Sequence, residues 1–180
     1  MKRLTLLLLC LGLSIASAEA ITVLPITFEE LVAESTAVVY ARVADVQGRW
    51  TSDRRNIESL VTLESLRYFK GDLGSAVSMR LPGGEAGGMI QVLPGAPVLK
   101  QGDLVVLFLA AKGPAIPSPV GLTQGVFRVV VTPGSGTPLV MPPALKTSAA
   151  GRIIRGAAAR RALTLDAFAH EVRAAEEAQP

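Results

Sequence analysis

Cysteine occurs once in the 180 residues, at Cys10, and histidine once, at His170. Zinc sites are built from clusters of these two residue types, so a zinc site of that kind is excluded. Cys10 also lies inside the one long apolar run, Leu4 to Ala16. If that run is removed, no thiol remains, and disulfide and thiol chemistry go with it. The bulky Leu9 stands before Cys10 where lipid-attachment signals call for a small residue, which argues against a lipoprotein. An excess of one charge is missing too. Lysine and arginine total 18 against 15 aspartates and glutamates, and losing Lys2, Arg3 and Glu19 with residues 1–20 leaves 16 against 14. Such a balance argues against a nucleic-acid partner, whose phosphates demand a clustered basic excess.

The apolar run itself is informative. Lys2 and Arg3 precede it, and the small-residue sites Ala16-Ser17-Ala18 and Ala18-Glu19-Ala20 follow it. A positive start, an apolar stretch of this length and an A-x-A end describe a secretory signal peptide over residues 1–20. The expectation is cleavage near Ala18 or Ala20, delivery to the periplasm or the extracellular space, and no membrane span in the mature chain. The remaining stretch of roughly 160 residues is long enough for one domain with its own core.

Thr27-Phe28-Glu29-Glu30 has the spacing of a capping box, and Phe28, Leu31 and Val32 then fall on one helical face, which predicts a short helix over 28–35. From Ala37 the period changes to β. Val38, Val39, Tyr40, Val43 and Val46 mark a first strand, and Ile57 to Phe69 a second, separated by the polar loop Trp50 to Asn56. Val77, Met79 and Leu81 alternate with Ser78 and Arg80 as a half-buried strand, and Met89 to Leu93 follows the glycines at 83–88. Leu104 to Leu109 is a continuous apolar run, suited to a strand covered on both faces and too short to cross a membrane. Gly125 to Val131 adds one more, for six or seven strands. Residues 133–162, rich first in Pro, Gly, Thr and Ser and then in Ala and Arg, read as a loop or linker with at most a short strand at Leu139 to Met141. Thr164 caps a C-terminal amphipathic helix within 163–178, with Leu165, Phe168 and Val172 on one face.

Across Leu31 to Leu109 the segments Ala37-Val38-Val39-Tyr40-Ala41-Arg42-Val43, Trp50, Tyr68-Phe69-Lys70-Gly71, Pro82-Gly83-Gly84 and Gly102-Asp103 before Val106 to Leu109 form a recognisable pattern. It resembles a group of exported bacterial proteins of unknown function whose barrel is similar to the netrin-type and tissue-metalloproteinase-inhibitor fold. The resemblance implies a mainly β domain over 21–132, a small antiparallel OB-like barrel with a helix beside it, used as a binding module. Inhibitors of that fold chelate a protease zinc through an N-terminal cysteine. The mature chain has none, so that activity does not carry over.

Candidate sites are few. Trp50 with Arg49, Arg54 and Arg55 places an aromatic beside guanidinium groups on a loop between long strands. It could stack on a sugar, an aromatic ligand or a partner side chain, or it could cover one end of the barrel. Gly83 to Gly88 could cradle an anion, but no Lys-Ser/Thr pair completes a phosphate loop, and a hairpin connection also explains the glycines. His170 has no triad pattern around it and reads as a solvated helical residue. Arg152, Arg155, Arg160 and Arg161 suit anionic lipid, a cell-wall polymer or a solvated linker. Glu58, Glu64 and Asp72 have no spacing that pairs them for acid/base work. These observations favour a non-catalytic binding module with a protein or glycan partner in the envelope or extracellular space, and no cofactor. A carbohydrate-active hydrolase using carboxylates, or a protease inhibitor acting through the loop Gly113 to Pro119, are the alternatives.

Overall fold

The structure, a computed structural model, describes residues 25–111, 113, 115–134, 136–146, 153–155 and 161–179. The expected leader at 1–20, together with Arg152 and Arg160, lies outside the described residues.

The chain enters through helix α1, Phe28–Glu34. Its start is the capping box legible in the sequence: the Glu30 N–H donates to Thr27 Oγ1 at 3.2 Å and the Thr27 N–H donates to Glu30 Oε2 at 2.7 Å. The helix buries Phe28, Leu31 and Val32. The Thr27 amide holds the Glu30 carboxyl below the usual carboxylate range, with the hydroxyl contact adding to it. Because this pKa is lower folded than unfolded, its contribution to stability is present above the unfolded value and is lost as pH falls through the folded one. Thr27→Ala is expected to cost about 1 kcal/mol in urea unfolding at neutral pH, with the deficit narrowing in acid. An unchanged midpoint would show that packing alone holds α1.

The strands that follow are β1 (Ala37–Trp50), β2 (Ile57–Lys70), β3 (Ala76–Pro82), β4 (Gly84–Ala86), β5 (Met89–Gln91), β6 (Leu104–Ala110), β7 (Ser118–Pro119), β8 (Val126–Val131), β9 (Pro138–Met141), β10 (Ala144–Lys146), β11 (Ile153–Arg155) and β12 (Leu163–Thr164). Helix α2, Leu165–Glu177, closes the chain, and Thr164 caps it by accepting the Ala167 N–H at 3.2 Å. The described residues are therefore mainly antiparallel β with two α-helices. One sheet runs in the order β12-β9-β8-β6-β1-β2-β3, with β7 pairing beside β8 along β6, and β4-β5 and β10-β11 are separate hairpins. The short strand expected at Leu139 to Met141 is β9, which joins the main sheet against β8. The additional strands, β4, β7, β10, β11 and β12, are two or three residues long and carry too little periodicity to be read from sequence.

Alternation along the central strands separates two cores. Val38 and Tyr40 of β1, Val106 and Phe108 of β6, Phe127 and Val129 of β8 and Val140 of β9 face α1 and α2. Val39, Ala41 and Val43, with Val105, Leu107 and Leu109 on β6, face the opposite way and pack with Val61, Leu63, Val77, Met79 and Leu81. Strand β6 is covered on both faces, as its unbroken apolar run requires. All five phenylalanines belong to the helix-side core.

Strand β1 does two jobs. Ala37 to Arg42 pair with Leu109 to Leu104 of β6, while Asp45 to Trp50 pair only with β2, ending in Trp50↔Ile57. The β1-β2 hairpin thus projects past the end of β6. Its tip sits where β3 ends and β4-β5 begins.

Candidate functional site

Trp50 is the last residue of β1, and residues 51–56 turn the chain into β2. The turn is held by its own polar side chains. The Thr51 N–H donates to the Asn56 carbonyl at 2.8 Å, Thr51 Oγ1 accepts the Asn56 N–H at 3.1 Å, and its hydroxyl reaches the Asp53 carboxylate. Asp53 Oδ1 also accepts the Arg55 N–H at 3.1 Å. The Thr51 hydroxyl, then the Arg55 amide, hold the Asp53 carboxyl below the usual carboxylate range. Arg54 sits at φ 56°, a left-handed conformation that a tip residue adopts and a strand residue does not. Arg54 and Arg55 are both exposed, and neither guanidinium has an ion pair among the described residues.

The outer face of β1-β2-β3 carries a row of charges at the same end. Arg49 lies opposite Glu58, and Arg80 on β3 is diagonal to it, because β3 pairs Pro82 with Glu58 and Arg80 with Leu60. Arg49 donates to Glu58 Oε1 through Nε and Nη2, both at 2.9 Å, while Arg80 Nη1 stops 3.7 Å from Glu58 Oε2. The Glu58 side chain is only 13% exposed, whereas Arg49 and Arg80 are each 46% exposed. Arg49, Trp50, Asp53, Glu58 and Arg80 line a polar cleft of about 600 Å³. Arg54 and Arg55 are not among its lining residues. The structure therefore joins Trp50 to Arg49 and Arg80, and leaves Arg54 and Arg55 exposed on the turn outside the cleft lining.

Arg80 was not legible as a site residue. In the sequence it is simply the polar member of an alternating strand, and only the register of β3 against β2 brings it to Glu58. The signal that could have found it was its parity: Arg80 shares the outward face with Ser78.

The glycines at 83–88 form the β4-β5 hairpin, with Gly87 and Gly88 at φ 60° and 77° in its turn. The hairpin leans on the site. The Trp50 indole Nε1 lies beside Gly87, and Trp50 remains 38% exposed, so the ring is partly covered and partly available. Gln91 of β5 ties the hairpin to the tip by donating from Nε2 to Asn56 Oδ1 at 3.0 Å, and its Oε1 accepts the Ile57 N–H. From here the chain presents apolar side chains to solvent: Ile90 is 72% exposed, Val92 79% and Val98 70%.

No family model, curated protein or solved structure matches this chain.

The remaining candidates are dispersed. His170 is exposed on α2, and Asp166 one turn before it pairs with Arg67 at 2.7 Å, which holds the Asp166 carboxyl low. Glu64 is exposed, and Asp72 accepts the Gly74 N–H at 2.8 Å. Of the four arginines at 152–161, Arg155 lies on β11 and Arg161 is exposed. In the loop 113–119, Ile116 is exposed, but Pro119 is buried and the Pro117 carbonyl accepts the Arg80 N–H at 2.9 Å. Among the described residues no cluster of three or more His, Cys, Asp or Glu could hold a metal ion, and no helix is long and apolar enough to cross a membrane.

Proposed function

We propose that this chain is an exported, non-catalytic binding module, a small antiparallel β-barrel of OB-like character that engages a protein or glycan of the envelope or extracellular space through its β1-β2 tip. Export rests on the signal-peptide pattern at 1–20. The barrel reading rests on a ring of pairings. β6 pairs β1, β1 pairs β2, β2 pairs β3, the β3 edge at Arg80 bonds to Pro117, and β7, beginning one residue later, returns to β6. The apolar side chains of β1, β2, β3 and β6 that pack together on one side of the sheet support that reading.

The observation that carries the binding role is the partly exposed Trp50 at the end of the projecting hairpin, with Arg49 and Arg80 beside it in one cleft and Arg54 and Arg55 exposed on the same turn. Tryptophan and arginine are the side chains that most often anchor an interface, because each contributes a large contact area with directional polar contacts.

A hydrolase would need a carboxyl held protonated to act as general acid. Asp53 and Glu58 do line the same cleft, but Asp53 is held low by its hydrogen bonds and Glu58 is engaged by Arg49. The deciding experiment compares capture from the native envelope and secreted fraction by the exported protein and by its Trp50→Ala/Arg54→Ala/Arg55→Ala variant. A partner held by the wild type and lost by the variant is the expected result. Equal capture by both returns Trp50 to covering the barrel end. A turnover that dies in Glu58→Gln would replace the binding module with an enzyme.

A further inference from the structure

Arg80 stands where two clefts meet. The polar cleft at Trp50 and a second cleft of about 440 Å³ share Thr51, Asn56, Glu58 and Arg80. The second is walled by the aliphatic side chains of Ile57, Leu81, Leu93, Pro119 and Leu122. It continues through Leu81, Gln91 and Leu93 into a wider groove of about 790 Å³ edged by Ile90, Val92 and Val98. The three clefts share lining residues from the Trp50 end, where Arg49 and Arg80 lie, to the groove at Ile90, Val92 and Val98, whose lining also includes Glu85.

The charges in these clefts are unequally satisfied. Arg49 takes Glu58 Oε1 with both its contacts, and Arg80 stays 3.7 Å from Oε2, near enough for an ion pair but beyond hydrogen-bonding distance. Among the described residues the Arg80 guanidinium has no other partner, so its donor fork is available on a side chain 46% exposed. Around the tip, the four arginines Arg49, Arg54, Arg55 and Arg80 outnumber the three carboxylates of Asp53, Glu58 and Glu85.

We propose that these clefts bind an extended acidic peptide segment of a partner protein, with Arg80 clasping an Asp or Glu carboxylate and the adjacent aliphatic side chain of the peptide entering the cleft of Ile57, Leu81 and Leu93. The inference rests on the binding-module reading and names its ligand class. Charge complementarity selects the anion, because a carboxylate matches a guanidinium fork in two parallel hydrogen bonds. The aliphatic walls select the peptide over a glycan. Sugar hydroxyls pressed against Ile57, Leu81 and Leu93 would lose their water partners without replacement, whereas a Leu or Ile side chain gains from the same contact. The succession of clefts selects an extended chain, which presents alternate side chains to two successive sub-clefts.

The test is selection of a phage-displayed dodecapeptide library on the exported protein, followed by anisotropy titration of the recovered sequences as synthetic peptides. The expected consensus is Asp or Glu next to Leu, Ile or Val. Affinity should fall at least tenfold in Arg80→Ala and in Arg80→Gln, fall less in Arg80→Lys, and fall tenfold when the peptide's acid becomes an amide. Higher salt should weaken binding. Far-UV dichroism and melting confirm that each variant is folded, and the Gln variant retains most of the stem should alanine disturb β3. A consensus without an acid, equal affinity for Arg80→Ala, or no recovered peptide overturns the proposal. If a glycan array then shows Trp50-dependent binding, the module reading survives and the peptide inference alone has failed. Cleavage of the selected peptides would instead overturn the module reading.

Discussion

Phe168→Ala is expected to remove about 3–5 kcal/mol of stability, the largest loss that one substitution in this chain should cause. Phe168 is 1% exposed and lies at the centre of a cluster of rings. Its centroid is 5.3 Å from Phe69, 5.6 Å from Phe28, 5.7 Å from Phe127 and 6.1 Å from Phe108. The contacts with Phe28, Phe108 and Phe127 are edge-on. In edge-on pairs the positive ring edge meets the negative face, so each adds to area burial by about 0.5–1.5 kcal/mol. Four such neighbours cannot collapse into the vacated space together, because three of them are strand residues fixed by their ladders and the fourth is locked on α1. A domain of ordinary stability, about 5–15 kcal/mol, would lose at least about a fifth of it.

The same substitution tests whether α2 belongs to the domain or rests on it. The helix is also joined to β2 through Arg67, which bonds Asp166 at 2.7 Å and sits 5.3 Å from the Phe69 ring, but that ion pair is exposed and screened by salt. Asp166→Asn should therefore shift the urea midpoint far less than Phe168→Ala. Trp50 is the only tryptophan and lies at the tip of the β1-β2 hairpin, away from α2, so its fluorescence and the helical dichroism report two separate regions. Coincident unfolding by both probes, at a much lower midpoint in Phe168→Ala, is the expected result. A loss below about 1 kcal/mol, or a helix that melts first while Trp50 stays ordered, would make α2 a peripheral attachment.

Much of this core was legible because its chemistry is local. The capping box at Thr27, the Phe28/Leu31/Val32 face, the alternation at Val77, Met79 and Leu81, and the two-sided run at Leu104 to Leu109 are all stated within a few consecutive residues. Pattern and environment agree there. The site was legible only in part. Trp50 with Arg49, Arg54 and Arg55 stood out as residue types, and of these arginines Arg49 lines the cleft, where Arg80 joins it, while Arg54 and Arg55 are not in its lining. Arg80 is brought in by strand register across two hairpins, a long-range property that neither propensity nor spacing encodes. The exposed Ile90, Val92 and Val98 were hidden for a related reason. A short apolar stretch after glycines looks like any buried strand until the three-dimensional arrangement shows that its side chains face solvent.

Gly48→Ala should disturb the site more than any substitution of a side chain within it. Gly48 lies on β1 opposite Ser59, and no left-handed angle requires glycine there. Its role is close approach: an added Cβ would overlap the Glu85 carbonyl oxygen and stand 2.8 Å from its carbon and 2.9 Å from its nitrogen. The obstacle is backbone, so no rotamer change relieves it, and β4 must move away from β1. That movement is resisted at several points. Ser59 Oγ donates to the Gly83 carbonyl at 2.8 Å, the Gly83 N–H donates to the Ile57 carbonyl at 2.8 Å, and Gln91 bonds to Asn56 and Ile57. Overpacking against such a held element costs about 1–3 kcal/mol, and the hairpin that yields carries Gly87 away from the Trp50 indole. The variant is therefore expected to melt at lower temperature, to shift Trp50 emission to longer wavelength as the ring gains water, and to lose ligand capture as fully as the Trp50/Arg54/Arg55 variant, although every one of those side chains is intact. Gln47→Ala, exposed on the same strand, is the control and should leave all three readouts unchanged. If Gly48→Ala matched that control, the β4-β5 hairpin would not rest on β1, and the groove that continues from Arg80 toward Ile90 would lose its supporting wall as an explanation for binding.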